Sequence, residues 1–177
     1  MKKKISILGS TGSIGVNALN VIRNIPEEYE IVHLTGNMNS DLMIKQCEEF
    51  HPKSIVMIND DVSEKVQKAL TNNDVEVLSG RENLLRISKD KNVDLVLNAL
   101  VGSSGMEPTL EALNVGVDVA LSNKESLVVA GDLITSSMKK SGANLFPVDS
   151  EHSAIWQCLV GESIDDIEKI ILTGSGG

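Results

Sequence analysis

Ile5-Ser6-Ile7-Leu8-Gly9-Ser10-Thr11-Gly12-Ser13-Ile14-Gly15, close to the N-terminus, sets a short apolar run directly before three glycines spaced three apart. An apolar run of this length, closed by a glycine, reads as a strand buried on both faces. Behind the glycines Ile14, Ala18, Val21, Ile22 and Ile25 recur at spacings of three and four, the stripe of an amphipathic helix that Pro26 stops. A glycine turn between strand and helix lets the backbone approach a pyrophosphate, and the helix's first N–H groups and dipole favour that anion. The spacing is G-x-x-G-x-x-G rather than G-x-G-x-x-G, so a tight turn without a ligand is the competing reading; its place between strand and helix favours the dinucleotide. No Gly-Lys-Ser/Thr follows, which excludes a P-loop.

The same alternation continues outward. Ile31 to Leu34 reads as a strand, and Asn39 or Ser40 can cap a helix carrying Leu42, Met43, Cys47 and Phe50. Strands follow at Ser54 to Ile58, Val75 to Leu78, Val93 to Leu100, Val117 to Leu121 and Leu145 to Val148. Helices lie between them at about Asp61 to Leu70, Thr109 to Leu113 and Leu127 to Lys140. Strands and helices that alternate through short connections give an α/β fold, a Rossmann-like doubly wound and mostly parallel sheet. After Val148 the character changes: a polar Asp149-Ser150-Glu151-His152 leads into a helix at Ala154 to Leu159 and a strand at Ile167 to Leu172. Closing on Thr173-Gly174-Ser175-Gly176-Gly177, one strand into a new unit, is the pattern expected of a fragment.

Charge and composition narrow the partners. Sixteen basic and twenty-five acidic side chains in 177 residues give a formal net charge of −9. That balance argues against a phosphate-backbone partner, and four aromatics (Tyr29, Phe50, Phe146, Trp156) are too few for a base-stacking surface. Nucleic acid is therefore not expected. No apolar run approaches the roughly 18 residues that span a bilayer, and the stretch behind Met1-Lys2-Lys3-Lys4 is too short for a signal peptide, so no membrane partner and a cytoplasmic location are expected. Cys47 and Cys158 have no metal-type spacing and read as buried, reduced thiols.

Three loops carry candidate chemistry. The second strand ends in Leu34-Thr35-Gly36-Asn37-Met38-Asn39, with no carboxylate before Asp41 to repel a 2′-phosphate, which favours NADP over NAD; no Arg stands there either, and a plain turn with helix caps is the alternative. Asn98 to Gly102 and Ser122-Asn123-Lys124-Glu125-Ser126 follow strands at the sheet's carboxyl edge, where Lys124 could grip an anion or could simply be solvated at a helix start. Asp149 and Glu151 offer the paired oxygen donors that Mg²⁺ or Mn²⁺ take, though Asp149 or Ser150 would serve equally as a helix N-cap. His152 has no partner His at helical spacing and reads as structural. The final Gly174-Ser175-Gly176-Gly177 is either a phosphate-binding turn or an ordinary one.

Taken together, ILGSTGSIG (Ile7 to Gly15), ALSNKESLVVAG (Ala120 to Gly131), PVDSEHSAIWQCL (Pro147 to Leu159) and LTGSGG (Leu172 to Gly177) resemble the 1-deoxy-D-xylulose 5-phosphate reductoisomerases. The resemblance covers the whole chain but only the front part of a family member. It implies an enzyme that rearranges a ketose phosphate and reduces the product with NADPH, dependent on Mg²⁺ or Mn²⁺ and homodimeric at full length. It divides the chain into an NADP-binding domain over residues 1–148 and, over 149–177, the beginning of a truncated α+β catalytic domain. Residue by residue it places Thr11, Gly12, Ser13 and Ile14 at the cofactor's phosphates, and Gly36, Asn37, Met38 and Asn39 near its adenosine end. Asn123 and Glu125 would also meet NADPH. Asp149 and Glu151 would hold the metal, Lys124, Ser150, Glu151 and Ser175 would bind the small phosphorylated sugar, and Lys124 and Glu151 would act at the reacting atoms. Met38 stands where many members carry Lys or another polar residue. The remaining metal carboxylate and the active-site His of the family would lie beyond Gly177, so this polypeptide is expected not to turn over substrate alone. Two other readings stand beside this one: another NADP-dependent aldehyde-reducing dehydrogenase, and a non-catalytic nucleotide-binding module.

Overall fold

The structure is a computed structural model that describes residues 1–71 and 73–171. The chain runs through β1 (Lys3–Leu8), α1 (Ser13–Asn24), β2 (Tyr29–Gly36), α2 (Ser40–Phe50), β3 (Ser54–Met57), α3 (Asp60–Ala69), β4 (Glu76–Ser79) and α4 (Gly80–Ser88). It continues with β5 (Leu95–Asn98), α5 (Met106–Asn114), β6 (Asp118–Leu121), α6 (Glu125–Ser141), β7 (Leu145–Pro147) and α7 (Ser150–Leu159). Short 3₁₀ turns occupy Gly102–Gly105 and Ile164–Asp166.

The strands form one seven-stranded sheet in the order β4-β3-β2-β1-β5-β6-β7, and every pairing is parallel. Strand order reverses between β1 and β5, so the two halves of the sheet diverge there and leave a crevice at the carboxyl ends. Alternate side chains feed two cores. Ile5, Ile7, Leu34, Ile55 and Met57 pack beneath Leu19 of α1, Met43 of α2 and Val66 of α3. Leu8, Val56, Val96, Val119 and Leu121 pack on the other face beneath Leu84 of α4, Leu113 of α5 and Ile134 of α6. A register shift between Ile5 and Ser6 against β2 pairs Ser6 with His33, making Val32 the extra residue.

The expected α/β, Rossmann-like doubly wound sheet is the observed one, and parallel throughout. The segment expected to be a strand from Ile167 to Leu172 is not one over Ile167–Ile171, while Leu172 lies outside the described residues. Ile170 and Ile171 stand exposed there; an apolar run becomes a strand only when another strand meets its N–H and C=O groups. β5 is also shorter than the apolar run Val93 to Leu100, because ladder pairing with β1 begins at Leu95 and ends at Asn98. Cys47 is buried as expected, and desolvation pushes its thiol up to about 12. Cys158 is exposed, contrary to expectation, since α7 buries none of its residues.

Candidate functional site

The glycine turn sits at the mouth of the crevice. Gly9 adopts φ +82°, and a Cβ there would stand 2.9 Å from the Ala99 carbonyl oxygen of the neighbouring strand end. At Gly15 a Cβ would lie 2.4 Å from the Gly9 carbonyl oxygen, so the helix packs on the turn only as glycine. Ser10, fully buried, is held from two sides. Its N–H donates to the Thr35 carbonyl at 2.8 Å, and the Gln46 amide of α2 accepts from Ser10 Oγ at 2.7 Å while donating to Ser10 O at 2.9 Å. The Gly9 N–H donates to Thr35 Oγ1 at 2.8 Å. Helices α2, α3 and α7 have their N-termini capped by the side chains of Asn39, Asn59 and Asp149, whereas Gly12 gives α1 no side-chain cap. The first N–H groups of α1 therefore face outward beside Gly12, Ser13 and Ile14, all exposed, with Thr11 half-buried.

At the end of β2 the backbone comes close to that turn. A Cβ on Gly36 would meet Thr11 Oγ1 at 3.3 Å and Met43 Cε at 3.0 Å. Asn37 and Met38 are exposed, and Asn39 spends its side chain on the Leu42 N–H at 3.1 Å.

A buried knot ties the ends of β5 and β6 together. Asn98 Nδ2 donates to the Gly105 carbonyl at 2.7 Å and to Thr109 Oγ1 at 2.8 Å, while its Oδ1 accepts the Leu100 N–H at 3.2 Å. Asn123 turns inward as well, donating to Leu100 O at 2.8 Å and accepting from the Ser126 N–H at 3.2 Å. Its side chain is thereby used inside the fold, and only Lys124 and Glu125 of this loop project outward.

The carboxylates flank the start of α7. Asp149 Oδ1 accepts the His152 N–H at 3.0 Å, and the His152 ring Nδ1 lies 2.8 Å from the same oxygen. Burial works to raise the Asp149 pKa, but the hydrogen bonds from the His152 backbone and ring outweigh it and hold the carboxyl below its ordinary value. Lys124 Nζ lies 3.6 Å from Glu151 Oε1, with both side chains about half exposed. A cleft of about 270 Å³ is lined by Ile14, Lys124, Glu125, Asp149, Ser150 and Glu151. The fold thus brings one residue of the glycine turn, both loop charges and both carboxylates to a single opening. Among the described residues no three His, Cys, Asp or Glu side chains gather as a metal cluster. Ser175, with the rest of Gly174 to Gly177, lies outside the described residues.

A family model described as 1-deoxy-D-xylulose 5-phosphate reductoisomerase matches residues 5–131. The chain belongs to this family. The family's C-terminal domain model matches residues 145–177. The reductoisomerase of Chloroherpeton thalassium is 47% identical over 175 residues, covering 99% of this chain and 45% of that protein. A reductoisomerase of Bacillus cereus is 45% identical and is covered to 46% by the whole of this chain. The chain therefore spans somewhat less than half the length of these curated relatives.

Solved structures agree with the assignment. A reductoisomerase in complex with NADPH, fosmidomycin and magnesium superposes with a TM-score of 0.84 at 43% identity, over 88% of this chain and 38% of that one. The Zymomonas mobilis reductoisomerase in complex with NADPH gives 0.85 at 34% identity, over 89% and 41%. A homoserine dehydrogenase from Thiobacillus denitrificans, 18% identical with a TM-score of 0.54, shares the fold alone. Gln46 escaped the sequence reading because its partner Ser10 is 36 positions away. The inward turn of Asn123 escaped it too, since nothing local separates a buried amide from an exposed one.

Proposed function

We propose that this chain supplies the dinucleotide-binding domain, residues 1–148, and the opening of the catalytic domain, residues 149–177, of an NADPH-dependent 1-deoxy-D-xylulose 5-phosphate reductoisomerase. The reaction converts 1-deoxy-D-xylulose 5-phosphate to 2-C-methyl-D-erythritol 4-phosphate, a step toward isoprenoid precursors. The observation that supports this reading is the shared cleft: Ile14 at the edge of the glycine turn, Lys124 and the Asp149–Glu151 pair line one opening.

The residues present fit both implied groups. Glycines that tolerate no Cβ, beside a helix start with no side-chain cap, form a cradle for a pyrophosphate. In this reading Thr11, Gly12, Ser13 and Ile14 meet the phosphates, and Gly36, Asn37, Met38 and Asn39 border the adenosine end. Glu125 faces the cofactor, and Asn123, whose side-chain amide turns into the fold, contributes through its backbone. Asp149 and Glu151 offer carboxylate oxygens, hard donors that suit Mg²⁺ or Mn²⁺. When bound, NADPH supplies hydride and the cation supplies charge stabilisation for oxygens of the rearranging substrate. Lys124 orients the substrate and balances Glu151, while Ser150 and Ser175 hold its polar groups. Asp149, fixed by His152, positions the start of α7.

Nicotinamide fluorescence tests the cofactor half directly. NADPH is expected to bind at least about tenfold more tightly than NADH, the order that one charge-assisted contact contributes. Equal affinity, or none for either, overturns it. For the metal half, a protein of the relatives' full length carrying this segment is expected to lose turnover with EDTA or with Glu151→Gln. Full activity after either treatment would reject the metal assignment.

A further inference from the structure

A cation near the end of the second strand accommodates a cofactor's 2′-phosphate, and Gly36-Asn37-Met38-Asn39 contains none. The fold brings one from another helix. Lys65 of α3 reaches the first turn of α2, with Nζ 2.8 Å from Ser40 Oγ and 2.8 Å from Asp41 Oδ1. The parallel pairing of β2 with β3 sets α2 and α3 side by side, so the approach is built into the topology. Ser40 is buried, while the Lys65 and Asp41 side chains are 61% and 78% exposed. An ion pair so exposed adds little to stability, so the fold has small hold on the ammonium group.

We infer that Lys65 is the specificity-determining residue that selects a 2′-phosphorylated dinucleotide, its ammonium exchanging Asp41 for the phosphate. The inference rests on the dinucleotide reading above. A phosphate monoester carries more negative charge than a carboxylate and accepts stronger charge-assisted hydrogen bonds, so the exchange favours it. Asp41 then serves as the resting partner that neutralises Lys65 when no phosphate is present. This assigns to α3 the charge that position 38 would supply if it were Lys, and Met38 is left to apolar contact.

Isothermal titration of the 177-residue chain tests it, with NADPH against NADH and adenosine 2′,5′-bisphosphate against adenosine 5′-monophosphate. The second pair differs only in the 2′-phosphate. Lys65→Ala is expected to weaken NADPH and the bisphosphate about tenfold while leaving NADH and the monophosphate within about twofold. Lys65→Arg, which keeps the charge, is expected to retain the preference, with circular dichroism and melting temperature unchanged in both variants. An unaltered NADPH-to-NADH ratio in Lys65→Ala overturns the inference and leaves the dinucleotide reading standing. A wild-type chain that binds neither dinucleotide removes both. A loss of NADH binding in Asp41→Ala, with NADPH unchanged in Lys65→Ala, would make Asp41 the selecting residue and overturn it as well.

Discussion

Gly15 and Gly131 separate what a glycine does from what it merely permits. At Gly15 a methyl group would be driven to 2.4 Å from Gly9 O and 2.5 Å from Ser10 Cα, both backbone atoms that cannot step aside. At Gly131, within α6, a Cβ meets nothing within 4 Å. Gly15→Ala is therefore expected to cost roughly 1–3 kcal/mol in urea unfolding, the range for overpacking. Gly131→Ala is expected to be neutral or to stabilise by about 0.5 kcal/mol, because it restricts the unfolded chain. Equal effects from the two would contradict the packing described for the turn. The sequence showed that the first glycines matter, since three stand between a strand and a helix. It could not show Gln46, whose amide bonds both the hydroxyl and the carbonyl of Ser10 across a helix boundary.

Between elements, one polar row runs across four neighbouring strands, β1 to β4. Ser6 of β1, His33 of β2, Ser54 of β3 and Glu76 of β4 are successive register partners. His33 Nδ1 lies 2.8 Å from Ser54 Oγ, and its Nε2 lies 3.0 Å from Asp90 Oδ2, just past α4. Burial pushes the His33 pKa below its ordinary value of 6.5, outweighing the Asp90 carboxylate that favours the charged ring; Lys53 adds to the lowering and Glu76 opposes it. A histidine whose folded pKa is depressed contributes stability that is complete above the unfolded pKa and is lost as pH falls through the folded one. Melting temperature is expected to decline as pH drops below 6.5, and His33→Gln to flatten that decline. An unchanged pH profile in His33→Gln would remove His33 as its source. The helices and strands themselves were legible from apolar spacing. Their ends were not: β5 stops where β1 stops pairing, and the Ile167–Ile171 run, which pairs with no strand among the described residues, stays irregular.

Across the whole molecule, the sheet lies between two separate apolar cores. Ile55 of β3 belongs to the core beneath α1–α3, and Ile134 of α6 to the opposite one, both fully buried. Ile55→Val and Ile134→Val are each expected to cost about 0.5–1.5 kcal/mol. The double variant is expected to lose the sum to within about 0.5 kcal/mol, measured as urea midpoints at constant slope. A larger coupling would mean that strain passes through the sheet. Local pattern by itself determined the parallel α/β class, the glycine turn at a strand end, and the residue types for anion and cation binding, because periodicity and backbone constraints act over a few residues. Tertiary structure alone decided which of those residues share an opening. Lys124 meets Glu151, Lys65 meets Asp41 and Gln46 meets Ser10 only after parallel crossovers carry distant helices to one edge of the sheet. Side-chain contact is set by that geometry, and no local spacing encodes it.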